Sequence, residues 1–241
     1  MLAQIHHDLP VFRGDEEQLG LFNQTDALDA DRQTTSALIQ ELAVNCSLDA
    51  GWLLQPPGQA VGRLVAANLR YVSPDKAAVI FAALEQALRY GPDYCLCGLG
   101  GASRLFLDRS RAVGREIHRM LGFIRFQNGP GGSLIARPRL YHDTADLILR
   151  RFAPRYPDTM LILLVDDIAL ILEQGQLRRE PAEPYLPYVA GDEFVQAWET
   201  YYQSQYIAAR KNMKLAGSHV PRKYWDWLDE GRILRREALS D

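Results

Sequence analysis

The stretch VGREIHRMLGFIRF, residues 113–126, marks where this chain changes its hydrophobic period. Before it, apolar residues recur every three to four positions, the spacing of amphipathic helices. After it they come in short runs bounded by turn residues, the pattern of strands. At roughly 100° per residue, Arg111, Arg115, His118 and Arg119 share one face of a helix that ends near Gly122. Val113, Ile117, Met120 and Leu121 fall on the opposite face, which predicts the buried side. Such a chain reads as an α+β protein. A helical N-terminal half packs on a small, mainly antiparallel four-stranded sheet, with C-terminal helices following.

The helical half rests on three segments. Residues 34–45 place Ala37, Leu38 and Leu42 on one side. Pro56-Pro57-Gly58 predicts a break, and Val61, Leu64, Val65 and Leu69 then mark a second helix. Ser73-Pro74 opens a third, with Ser73 as its cap, and Gly91-Pro92 closes it. In the other half, residues 123–127 and 134–140 read as strands joined by the hairpin loop NGPGG. Asp143 is expected to cap a helix, and residues 160–166 and 168–173 read as two further strands. The adjacent Asp166-Asp167 is expected to form the turn between them. Pro181, Pro184 and Pro187 suggest an extended linker. Residues 191–212 read as a long helix carrying Phe194, Trp198, Tyr201 and Tyr202, and residues 221–228 (PRKYWDWL) as a short one.

Charge is unevenly spread along these segments. Residues 100–155 hold 11 arginines against 4 acids, in a chain whose net charge is −3. Residues 1–99 hold 6 basic residues against 12 acids, and residues 156–241 hold 10 against 14. This distribution excludes a uniformly basic nucleic-acid binder and predicts a local anion-binding surface. Three cysteines (Cys46, Cys95 and Cys97) and a start without an export signal lead to the expectation of a reduced, cytoplasmic chain. The longest apolar run, residues 160–165, is too short to cross a membrane, so no membrane association is expected. Cys95-x-Cys97 has no second pair at finger-like spacing, and GLGGA (residues 98–102) lacks the lysine of a phosphate loop. Neither a metal nor a cofactor is expected.

Guanidinium groups pair bidentately with phosphate oxygens, so Arg111, Arg115 and Arg119 are candidates to grip successive phosphates. Arg125 extends that surface, as do Arg104, Arg109, Arg137 and Arg139. A second candidate region lies near the C-terminus. There Arg210, Lys211, Arg222 and Lys223 alternate with Tyr224 and Trp225, a mixture suited to holding phosphates while bases stack on rings. The competing reading has Trp225 and Trp227 plugging the short helix onto the core beside Tyr224. No complete catalytic machine is visible. His118, Glu116 and His219 are the candidates for proton transfer, provided that they converge. Against this, Glu116 and His118 are two residues apart and point in different directions on a helix. Glu116 would then bond a backbone group.

Together with residues 150–158 (RRFAPRYPD) and 209–228 (ARKNMKLAGSHVPRKYWDWL), the 113–126 stretch resembles a bacterial family described as "probable DNA metabolism protein". That family is built around domain of unknown function 4130. The resemblance covers roughly residues 70–230 and implies a family domain over residues 73–241. Residues 1–72 depart from the family's usual opening and read as an N-terminal arm and helices suited to partner docking. The family's domain often accompanies a uracil-DNA glycosylase domain and a radical-SAM protein, and this chain is expected to lack an appended glycosylase. The resemblance implies DNA repair or DNA modification, with DNA as the ligand and a radical-SAM or glycosylase protein as partner. Three functions fit: a nucleic-acid-binding accessory protein, an enzyme acting on DNA or a nucleotide, and a module that docks a partner protein.

Overall fold

In the computed structural model the chain divides into two units, Met1–Gly114 and Arg115–Asp241. The structure describes residues 11–12, 28–29, 34–46, 50–189 and 220–228, with Gly231 and Arg235. Most of the expected arm over residues 1–33, the expected helix 191–212, Arg210, Lys211 and His219 lie outside the described residues.

The first unit is helical. Two short strands, β1 (Val11–Phe12) and β2 (Leu28–Asp29), pair in parallel. Helices α1 (Thr35–Cys46), α2 (Pro56–Arg70), α3 (Lys76–Tyr90) and α4 (Pro92–Leu96) follow, and α5 (Gly101–Phe123) begins here. Trp52, Val61, Val79, Ile80, Ala83, Ala87, Cys95 and Phe106 form its core. Pro56-Pro57 opens α2 where the sequence suggested a break. The first helical N–H groups have no intrahelical partner, so proline costs nothing there. Gly58 is needed for a different reason. A Cβ at this position would lie 2.0 Å from the Leu53 carbonyl oxygen. Gly58→Ala is therefore expected to destabilise this unit by about 1–3 kcal/mol or more, read as a lower urea midpoint.

Two side chains tie the later helices down. Gln86 Oε1 accepts from the Ser103 N–H (3.3 Å) and hydroxyl (2.7 Å), which closes the N-terminus of α5. The GLGGA segment is thus a corner between helices, with Gly98 at φ +66° after α4. Arg109 donates through Nη2 to both oxygens of Asp75, at 3.0 and 2.9 Å, and its guanidinium lies 5.0 Å from the Tyr71 ring centre. Arg109 is buried, so it leaves the arginine surface predicted from sequence. The Arg109 guanidinium, with help from the Ser73 hydroxyl, holds the Asp75 carboxyl down at about 2. Ser73 accordingly bonds Asp75 and does not cap α3.

The second unit carries the sheet, so the fold is α+β, with helices first and the sheet after them. Strands β3 (Gln127–Asn128), β4 (Leu134–Ala136), β5 (Leu161–Val165), β6 (Ile168–Glu173) and β7 (Gln176–Pro181) lie in sequence order. All neighbours are antiparallel except β4 and β5, which helix α6 (Ala145–Phe152) connects in parallel. A parallel pair needs such a crossover. The sheet has five strands and not four. The additional one is β7, which follows a tight turn with Gln174 and Gly175 at positive φ. Asp166, at φ 51°, and Asp167 form the β5–β6 turn, as expected, and both are exposed.

Both faces of this sheet are covered. Ala136, Leu161, Leu163, Leu170 and Leu172 pack with Ile148, Leu149 and Phe152 of α6, with Met120, and with Tyr224 and Leu228. Ile135, Ile162, Leu164, Ala169 and Ile171 pack on the other side under Tyr185, Leu186 and Val189. Those three belong to a 3-10 segment, Glu183–Val189, in the stretch expected to be an extended linker. Among the described residues no helix is long and apolar enough to cross a membrane.

Candidate functional site

The site begins with a carboxylate inside the apolar stripe of α5. Val113, Glu116, Ile117 and Met120 recur at helical spacing, and Glu116 is only 2% exposed. Its Oε2 accepts the Tyr141 N–H at 2.8 Å. Its Oε1 accepts the His142 N–H at 3.0 Å and the Thr144 hydroxyl at 2.9 Å. One side chain thus organises the turn that leads into α6. Thr144 is the N-cap residue of that helix, but its hydroxyl goes to Glu116, and the expected cap Asp143 is exposed. His118 is exposed, roughly 200° around the helix from Glu116. The two proton-transfer candidates on α5 therefore do not converge, and Glu116 does structural work.

Cations gather on the outer side of this turn. The Tyr141 hydroxyl donates to the Lys223 carbonyl at 2.6 Å, which fastens residues 220–228 to it. Lys223 Nζ lies 3.9 Å from the Tyr141 ring centre and 4.9 Å from that of Tyr224. Arg139 lies 5.7 Å from the Tyr141 ring centre and reaches Asp226 only at 3.9 Å. Tyr224 is fully buried, edge-on to Phe123 and Tyr141 at 5.7 and 5.4 Å. Its hydroxyl has no hydrogen-bond partner among the described residues. Burial, and then the charge of Glu116, push the Tyr224 phenol up to about 12. Arg119 pulls in the opposite direction from close by, without a hydrogen bond of good geometry being closed.

The neighbouring titratable groups respond to the same surroundings. Burial lowers the His142 pKa, helped by Lys223 and opposed by Glu116, so the imidazole is neutral at neutral pH. Partial burial also lowers Lys223, helped by Arg119 and opposed by Glu116. The C-terminal motif and the end of α5 thus meet through Tyr224, Lys223, Phe123 and Arg119.

The remaining candidates fall into three groups. Arg115 and Arg119 stand one turn apart, exposed and half-buried, and neither forms an ion pair among the described residues. Arg111 and Arg125 are partly engaged: Arg111 reaches Asp108 at 3.4 Å, and Arg125 donates to the Gly122 carbonyl at 2.7 Å. The third group corrects the stacking role expected for the aromatics. Tyr224 and Trp225 are packed inside, so neither ring is open to a base. Trp225 Nε1 donates to the Val220 carbonyl at 2.8 Å, and exposed Arg222 lies 5.7 Å from its ring centre. Sequence reasoning missed Tyr141, His142 and Thr144. The available signal was Glu116 itself, an acid on a buried stripe that must find donors. Cys95 is buried, which pushes its thiol up to about 11 and makes it unreactive. Among the described residues, no group of three or more His, Cys, Asp or Glu gathers.

A family model described as a domain of unknown function, DUF4130, matches residues 74–230. The chain belongs to the DUF4130 family. No curated protein matches it, and neither does any solved structure. Glu116, Arg119, Tyr141, His142, Lys223 and Tyr224 all lie within the DUF4130 span. So do both stretches that meet at Tyr224.

Proposed function

We propose that this DUF4130 domain binds nucleic acid as an accessory protein in DNA repair or DNA modification. The observation that carries this reading is the pair Arg115 and Arg119. They lie one helical turn apart at the surface, with no carboxylate to neutralise either among the described residues. Guanidinium groups so placed meet phosphate oxygens. Lys223 adds a third cation beside Arg119. With Tyr224 and Trp225 turned inward, the grip is electrostatic and needs no base stacking. The resemblance to a family that accompanies uracil-DNA glycosylase and radical-SAM proteins supports the same reading, with such a protein as partner.

The test is a titration of the full chain with labelled single- and double-stranded DNA across a salt series. Arg115→Ala combined with Arg119→Ala is expected to weaken binding to every sequence alike. It should also reduce the slope of log affinity against log salt by about 2, roughly one for each phosphate left without its arginine. Identical curves for the variant and the parent would overturn the proposal.

A further inference from the structure

The Tyr224 corner is more specialised than a backbone grip requires. A fully buried hydroxyl that finds no partner among the described residues is unfavourable, and phenylalanine would pack in the same place. Beside this hydroxyl stand two cations, Arg119 and Lys223, each of which disfavours the other's charge. Glu116, the carboxylate of this cluster, already accepts three hydrogen bonds from the 141–144 turn. His142, on that turn, contributes no charge at neutral pH. Arg139 has Asp226 for company. Among the described residues, the corner lacks an acceptor bearing negative charge.

We propose that Arg119, Lys223 and the Tyr224 hydroxyl hold a phosphate monoester, either the phosphorylated end of a nucleic-acid strand or a mononucleotide. This deepens the nucleic-acid reading and rests on it. An internal phosphodiester carries one negative charge and two non-bridging oxygens between two sugars, which suits the open face of Arg115. A monoester has three free oxygens and only one sugar behind it, so it can reach a recessed donor. Its oxygens match a guanidinium, an ammonium and a hydroxyl. Its charge approaches −2 above a second pKa of about 6, which answers two cations.

The experiment uses the full chain and one short single-stranded oligonucleotide in three forms: 5′-phosphorylated, 3′-phosphorylated and unphosphorylated. One phosphorylated form is expected to bind roughly tenfold or more tightly than the unphosphorylated form, the worth of one hydrogen bond to a charged group. A nucleoside monophosphate should compete with it, and inorganic phosphate more weakly. Tyr224→Phe should abolish the preference, leave the unphosphorylated affinity unchanged, and keep or raise the thermal midpoint. A merely structural hydroxyl would leave the preference intact. Arg119→Gln, at a half-buried position, should erase the preference as well and serves if Tyr224→Phe does not fold. Equal binding of all three forms overturns this inference while leaving the backbone grip standing. Tyr224-dependent binding of the monophosphate without binding of any oligonucleotide would support the monoester site and remove the backbone grip.

Discussion

Glu116→Leu is expected to destabilise the second unit by about 3–5 kcal/mol, the cost of leaving buried polar partners unmatched. Leucine fits the apolar stripe of α5 and helix propensity is unchanged, so the loss is confined to the turn. There the Tyr141 and His142 N–H groups and the Thr144 hydroxyl each lose their acceptor. The Thr144 side chain is fully buried, so water cannot easily substitute. Glu116→Gln should cost roughly half as much, because one oxygen survives while the amide nitrogen faces donors. Urea unfolding of the full chain measures both. Combining Glu116→Leu with Thr144→Val in a double-mutant cycle should show strong coupling, since the two share one hydrogen bond. If the midpoint did not move while DNA binding vanished, Glu116 would be a functional acid and its structural assignment would fall.

This prediction also shows what was legible before the structure. The spacing that put Arg115, His118 and Arg119 on one face of α5 placed Glu116 on the other, three residues after Val113 and four before Met120. The same arithmetic puts Arg109 inside, three after Phe106 and four before Val113. Both charged residues lie on the buried stripe. Composition alone assigned Arg109 to a surface, because a block rich in arginine reads as solvated. The partners of Glu116 were not legible: they lie 25 to 28 residues away, on a turn that no local pattern connects to α5.

Two other features were hidden for different physical reasons. Strand β7, with the sequence QLRREP, is a sheet edge whose side chains are largely exposed. Natural edges carry charge to discourage pairing with other chains, and that charge erases the alternation by which strands are recognised. Its Arg178 bonds Glu173 and Glu180, a surface pattern that resembles a polar linker in sequence. The Tyr224-Trp225 pair posed the opposite difficulty. Aromatics next to cations have one composition whether they plug a core or face a base. Only packing decides between these, and here it seals both rings while leaving the cations outside.

Ile162→Asp and Leu163→Asp are each expected to unfold the second unit, although the two side chains point to opposite faces of β5. In a one-sided sheet, one of these substitutions would place a carboxylate in water and cost little. Strand β5 has no such side. Leu161 to Leu164 are all at most 1% exposed, under α6 on one face and under Tyr185, Leu186 and Val189 on the other. The apolar run LILLV, without alternation, is what a strand covered on both faces requires. A buried carboxylate on either face would have no cation or donor ready, and its desolvation exceeds the ~5–15 kcal/mol that holds a typical domain together. The alanine variants permit measurement where the aspartates do not: Ile162→Ala and Leu163→Ala should each cost about 2–5 kcal/mol by urea unfolding. A cost near zero at Ile162 alone would mean that the 183–189 segment does not cover its face. In that case the sheet would be one-sided, and the apolar run would need another partner.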